Sequence, residues 1–156
     1  MTESNNESKI RANWKWKIKG MDHVGIAVNN LAEATTTFVK NFNLPLRNVA
    51  ESKEQGLKFG LIETGNCVVE LMEPTDQDGT VARFLYRNGG RNSIHHLAFA
   101  VDSRLEQVAD DLKALGVEMT YPKPRTGVMG HPINFCHPKF TSNILIELCD
   151  VDYQQN

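Results

Sequence analysis

The sequence predicts an α+β fold of two fused βαβββ modules that form a cleft between them. Three observations carry that reading. The segment Asp22-His23-Val24-Gly25-Ile26-Ala27-Val28 returns as His95-His96-Leu97-Ala98-Phe99-Ala100-Val101, offset by 73 residues. A similar succession of strand-like and helix-like segments follows each copy. Each half then closes on an apolar run broken by one acid, Val68-Val69-Glu70-Leu71-Met72 and Leu145-Ile146-Glu147-Leu148-Cys149, offset by 77. A length of 156 residues fits one domain over 14–151, made of repeats at about 20–74 and 93–151.

Taken in order, residues 1–13 are rich in Asn, Ser and Glu and predict a disordered tail. Trp14, Trp16 and Ile18 then alternate with Lys15, Lys17 and Lys19, which predicts a strand with one apolar and one cationic face. Such a lysine row suits an exposed sheet edge. After the first copy of the repeated strand, Asn30 with Glu33 reads as a capping box, as does Ser103 with Glu106 in the second half. Thr35, Val39 and Phe42 match Val108, Leu112 and Leu115 at helical spacing. Asn43 and Gly116 stand where a left-handed residue would end each helix. Extended segments follow at Leu44 to Ala50 and Val117 to Tyr121, then at Leu57 to Ile62 and Pro132 to His137. The rise in offset from 73 to 77 is assigned to the Gly127-Val128-Met129-Gly130 loop. The linker from Thr75 to Asn92 holds a short helix around Val81 to Tyr86, ended by Gly89-Gly90.

Composition narrows the function. Hydrophobic residues are 40% and charged residues 23%, ordinary for a soluble globular chain. No run approaches the ~20 apolar residues that cross a bilayer. The polar start, Met1 to Ser8, lacks the apolar core of a secretion signal, so a cytoplasmic address is expected. Seventeen basic against 19 acidic residues give a formal charge of −2, which argues against nucleic acid or an anionic membrane as partner. Three scattered cysteines, Cys67, Cys136 and Cys149, suit a reducing compartment better than a disulfide scaffold or a thiolate zinc site.

The repeat singles out four residues, His23 and His96 at the start of each half's first strand, and Glu70 and Glu147 in each half's last. A carboxylate buried in an apolar strand costs several kcal/mol unless it is paired or ligates a cation. The same choice in both halves points to a shared purpose. Two imidazoles and two carboxylates joined by a pseudo-twofold make an octahedral site for one divalent metal ion with two positions free. The donor set suits Co, Zn, Ni, Mn or Fe rather than Ca²⁺ or Cu(I). His95, one residue earlier, is expected on the opposite sheet face in a structural role. His131 and His137 read as pocket or packing residues.

At these residues the chain resembles the vicinal oxygen chelate (glyoxalase/bleomycin resistance) superfamily, and within it the methylmalonyl-CoA epimerase family. The matching stretches are Asp22 to Val28, Glu70-Leu71-Met72-Glu73-Pro74, Ile94 to Phe99, and Phe135-Cys136-His137-Pro138-Lys139 leading into Leu145 to Leu148. The resemblance covers about residues 20 to 150. It implies the vicinal oxygen chelate fold, His23, Glu70, His96 and Glu147 as metal ligands, and an acyl-CoA thioester as substrate, in a homodimer for which the Trp14/Trp16 segment is a candidate contact. The implied activity removes the α-proton of a methylmalonyl-CoA-like thioester through a metal-stabilised enolate. Glu147 is the implied base, and Glu70, opposite it, could serve the second face. Two features depart from the family. Leu57-Lys58-Phe59-Gly60-Leu61 lacks the carboxylate some epimerases carry there, and Ser142-Asn143 replaces a Gly-Gly pair before the last strand. Lys139 and Arg125 are candidate partners for a substrate carboxylate or phosphate. The competing readings are a glyoxalase I-type lyase or isomerase on a thiohemiacetal, a non-catalytic small-molecule binder of the same fold, and a dioxygenase.

Overall fold

The computed structural model describes residues 14–152; the tail expected at 1–13 lies outside them. The first half runs β1 (Ile18–Ala27), α1 (Leu31–Phe42), β2 (Leu46–Ser52), β3 (Leu57–Glu63) and β4 (Val68–Pro74). Helix α2 (Thr80–Arg87) forms the linker. The second half runs β5 (Ser93–Val101), α3 (Leu105–Ala114), β6 (Arg125–Thr126), β7 (Pro132–Cys136) and β8 (Ile146–Asp150), with a 3-10 turn at Pro138–Phe140.

All eight strands belong to one sheet, in the order β2-β3-β4-β1-β5-β8-β7-β6. The halves are therefore fused edge to edge, through the antiparallel pairing of β1 with β5. Each half pairs its first and last strands in parallel, β1 with β4 and β5 with β8. Gly25 faces Glu70 in one and Ala98 faces Glu147 in the other, so the 73-residue offset persists in the strand register. Helix α1 packs on β3 and β4, α3 on β7 and β8, and α2 against β4, β1 and β5. No helix among the described residues is long and apolar enough to cross a membrane.

Local chemistry explains the helix starts. Asn30 caps α1 by accepting from the Glu33 backbone N–H at 2.9 Å, and the Glu73 carboxylate accepts from the Leu31 N–H at 2.6 Å. Asn43 ends α1 in the left-handed region, with φ 52°. The second half differs. Ser103 is not the cap of α3; Arg104 takes that position, and no side chain bonds the helix start. Leu105, Val108 and Leu112 are buried beneath α3, whereas Phe42 and Leu115, at the helix ends, are exposed.

Three further expectations change. The segment Val117 to Tyr121 does not form a strand. One bridge, Met119 to Cys136, stands in its place. The buried Asn134 amide supplies what the missing ladder would, accepting from the Tyr121 N–H at 3.2 Å and donating to the Tyr121 carbonyl at 3.0 Å. The tryptophan segment is irregular as far as Lys17, and β1 begins only at Ile18, which is exposed. The Asp102 carboxylate accepts from the Lys17 N–H at 2.6 Å and pins that segment to the second half. Trp16 is buried against Val101, Leu105 and Val108, with Trp14 stacked on it at 4.6 Å. Trp16 thus belongs to its own chain's core rather than to a contact between copies. The lysines guard no edge, because β1 is hydrogen-bonded on both sides. Alternation reports which face a residue occupies, not where the strand lies across the sheet.

Candidate metal centre

Strands β1, β4, β5 and β8 lie side by side at the centre of the sheet, and each contributes one of the four residues singled out by the repeat. His23, Glu70, His96 and Glu147 are all at most 4% exposed. The histidines lie inside their strands, five residues into β1 and three into β5, rather than at the start. His23 Nε2 is 3.0 Å from His96 Nε2, 3.2 Å from Glu70 Oε2 and 3.8 Å from Glu147 Oε1. His96 Nε2 lies 3.6 Å from Glu70 Oε2 and 3.3 Å from Glu147 Oε2. Bonds of ~2.1 Å from a first-row divalent ion to nitrogen and oxygen place neighbouring octahedral donors roughly 3 Å apart. The donor set and most of this spacing fit such an ion, with Glu70 and Glu147 each reaching both imidazoles at similar distances.

What holds each histidine differs. His23 Nδ1 lies 2.7 Å from Asp22 Oδ2, so a proton there donates to the carboxylate and leaves Nε2 facing the cluster. His131 Nε2 is 3.8 Å from the same carboxylate oxygen. His96 Nδ1 lies 2.9 Å from His95 Nδ1. His95 is therefore not on the opposite face. Gly25 pairs with His96 and Ile26 with Ile94, so His95 has no partner on β1 and forms a β-bulge. That extra residue turns the imidazole into the cavity, edge-on to Phe84 at 4.8 Å. Gly25 is equally specific, since a Cβ there would lie 2.1 Å from His96 Cε1. The imidazole of His96 occupies the space a side chain at position 25 would fill.

The electrostatics separate the two acids. Burial pushes the Glu70 carboxyl up, but the hydrogen bonds and positive charge of His23 and His96 outweigh it and hold Glu70 down at about 2. Glu147 is raised, chiefly by burial, against the attraction of the same two histidines. Burial lowers His23, yet its bonds to Asp22 and Glu70 carry it up to about 10. His95 is lowered to about 4 by burial and by His96, which keeps it neutral and able to accept from His96. Burial raises the Cys149 thiol well above its ordinary range, so it stays protonated; Sγ donates to Glu147 Oε1 at 3.4 Å.

The cluster lies on the floor of a cavity of about 280 Å³. Leu57, Met72, Ile133 and Phe135 line its walls. The β6–β7 turn supplies Val128 and Met129, which line the cavity and pack on the core of the first half, but it does not hold the extra residues expected there. Leu61 and Phe135, the partners of Glu70 and Glu147, are 74 apart, so most of the rise to 77 falls between β7 and β8. Arg83 and Arg125 stand among the lining residues. His137 instead caps the 3-10 turn, and Lys139 pairs with Glu118 at 3.2 Å. Ser142 and Asn143, in the place of the glycine pair, keep left-handed backbone at φ 55° and 63°. The repeat alone did not reveal Asp22, Cys149 or the cavity role of His95. Asp22 and His95 do occupy matched positions one residue before each histidine, and that was the available signal.

Residues 22–135 match the Glyoxalase/Bleomycin resistance protein/Dioxygenase superfamily. The chain is 28% identical over 133 residues to the mitochondrial methylmalonyl-CoA epimerase of Mus musculus, covering 85% of this chain and 74% of that protein. The methylmalonyl-CoA epimerase structure from Mycobacterium tuberculosis superposes with a TM-score of 0.79 at 32% identity, covering 85% of this chain and 88% of that one. A Streptomyces coelicolor methylmalonyl-CoA epimerase variant in complex with 2-nitronate-propionyl-CoA superposes with a TM-score of 0.78 at 28% identity, over 86% and 98% of the two chains. Sequence, sheet order and these likenesses agree: the chain belongs to the glyoxalase/bleomycin resistance protein/dioxygenase superfamily and is similar, within it, to methylmalonyl-CoA epimerases.

Proposed function

We propose that the protein is a metal-dependent epimerase of a methylmalonyl-CoA-like thioester, with His23, Glu70, His96 and Glu147 as the metal ligands. The observation that carries this reading is the convergence of two imidazoles and two carboxylates, all buried, on the floor of one cavity. The likeness to methylmalonyl-CoA epimerases supports the substrate class. A divalent cation held by these four residues would supply Lewis-acid stabilisation for the negative charge that develops when the proton leaves.

The chain's own residues do the rest. Glu147 removes the proton from the carbon between carboxylate and thioester, and Glu70, on the pseudo-symmetric side, serves the other face. Asp22 and His95 orient the two imidazoles from behind, and the Cys149 thiol fixes the rotation of the Glu147 carboxylate. Leu57, Met72, Ile133 and Phe135 exclude water around the reacting carbon.

A lyase or isomerase acting on a thiohemiacetal would use the same donors. One feature favours it, β3 presenting Leu57 and no carboxylate to the cavity, and one opposes it, Glu54 standing in the same lining from the turn just before β3. One experiment separates the two. The purified protein, its metal content measured, is given methylmalonyl-CoA in deuterated water, and separately a methylglyoxal–thiol adduct. Exchange of the α-proton without turnover of the adduct is expected. Turnover of the adduct alone would replace the epimerase by the lyase, and absence of metal, exchange and turnover would leave a binding protein.

A further inference from the structure

The cavity changes character from floor to rim. Its floor carries two carboxylates, and its walls mix apolar side chains (Leu57, Met72, Ile133, Phe135) with polar ones (Gln55, Thr80). Two arginines from different elements, Arg83 on α2 and Arg125 on β6, stand in the lining with their side chains exposed. A continuous series of ring contacts joins the ends. His96 meets Phe135 edge-on at 5.5 Å, Phe135 meets Tyr121 at 6.1 Å, and the Arg125 guanidinium lies 3.9 Å over the Tyr121 ring. Asn134 clamps the Tyr121 backbone, and Arg125 pairs in register with Ile133, so the guanidinium is positioned by two fixed points. No carboxylate pairs with Arg83 or Arg125 among the described residues, although Glu54 shares the same lining.

We propose that Arg125, with Arg83, is an anion-binding subsite that takes a phosphate of the carrier portion of the acyl thioester. The identity of the carrier rests on the epimerase reading; the anion site rests on the geometry. A planar guanidinium stacked on an aromatic ring is pre-organised for two-point recognition of an oxyanion. On the epimerase reading the malonyl head lies at the floor, within reach of Glu147 and Glu70. Arg125 stands three ring contacts above His96, so the anion within its reach is on the carrier. The mixed walls between accommodate the uncharged middle of such a ligand.

The test compares wild type, R125M, R83M and R125K on methylmalonyl-CoA and on methylmalonyl-pantetheine, which lacks the phosphates, and titrates coenzyme A itself by calorimetry. R125M is expected to raise KM for the CoA thioester on the order of tenfold or more with kcat nearly kept. The pantetheine thioester should be almost indifferent to the substitution. Coenzyme A affinity should fall in step, R83M should show a smaller loss of the same kind, and R125K should recover part of it by charge alone. K139M, outside the cavity, serves as the control and should match wild type. An equal KM loss on both thioesters would assign the anion to the acyl carboxylate and overturn the phosphate assignment. No change on either, or no binding of coenzyme A by wild type, would overturn the subsite. Coenzyme A binding that weakens in R125M, in a protein that does not epimerise, would sink the epimerase reading and leave the subsite standing.

Discussion

In the first half the inward-facing histidine, His23, is backed by a carboxylate, lies opposite Ala98, and is flanked by an acid, Glu70, held well below its ordinary range. In the second half its counterpart, His96, is backed by another histidine, lies over a glycine, and is flanked by an acid, Glu147, that burial pushes up. The strand pairings are related by pseudo-symmetry, but the supports are not. Duplication thus accounts for where the four donors stand, and single residues account for how each is tuned. The ladder skips Asp22 on β1 just as it skips His95 on β5, so the bulge is common to both halves and the difference lies in the residue that occupies it.

The largest effect tests whether the donors act as a set. Glu147→Gln and His96→Ala should each abolish turnover, by roughly a thousandfold or more if the ion's stabilisation is lost. Metal content, measured on the purified variants, should fall at least for His96→Ala. Full activity with undiminished metal in both would end the metal proposal.

The next test uses the inequivalent partners of the two histidines. Gly25→Ala places a methyl where the His96 ring lies and should strip the metal nearly as well as removing the imidazole. Ala98→Gly, at the matched position, should keep the metal and cost only about 1 kcal/mol in unfolding free energy. Equal metal retention in the two variants would show that the glycine has no special role.

A smaller effect separates the supports. Asp22→Asn should weaken metal affinity about 10- to 100-fold, as loss of a carboxylate behind a ligating imidazole does. His95→Phe should weaken it less, since a neutral acceptor polarises His96 less than an anion polarises His23. Competition with a chelator reads both, and the reverse order would contradict the asymmetry described above.

The smallest effect lies away from the centre. Asn30→Ala should lower stability by about 1 kcal/mol through loss of the α1 cap. Ser103→Ala, at the position that does not cap α3, should cost less than half of that. Chemical denaturation measures both.

The repeat made most of this molecule legible. Its two copies located the four central strands, both long helices and the four side chains that converge, because strand and helix periodicity are encoded locally, although only one of the two expected caps forms. The departures come from interactions that no local pattern records. His95 faces the cavity because the ladder between β1 and β5 skips it, and that bulge exists only once the strands pair. Val117 to Tyr121 pairs with its neighbour only through Glu118 with His137 and Thr120 with Phe135, and at Tyr121 the side chain of Asn134 takes the place of the ladder. Trp16 reads as one face of an amphipathic strand, yet it fills a gap beneath α3 more than eighty residues away in sequence.

The seam between β1 and β5 sets a limit on what either module can achieve alone. Split there, each fragment would present a long unsatisfied strand edge and retain only one imidazole and one carboxylate of the four donors. Two copies of one fragment, laid edge against edge, would restore the complement of four.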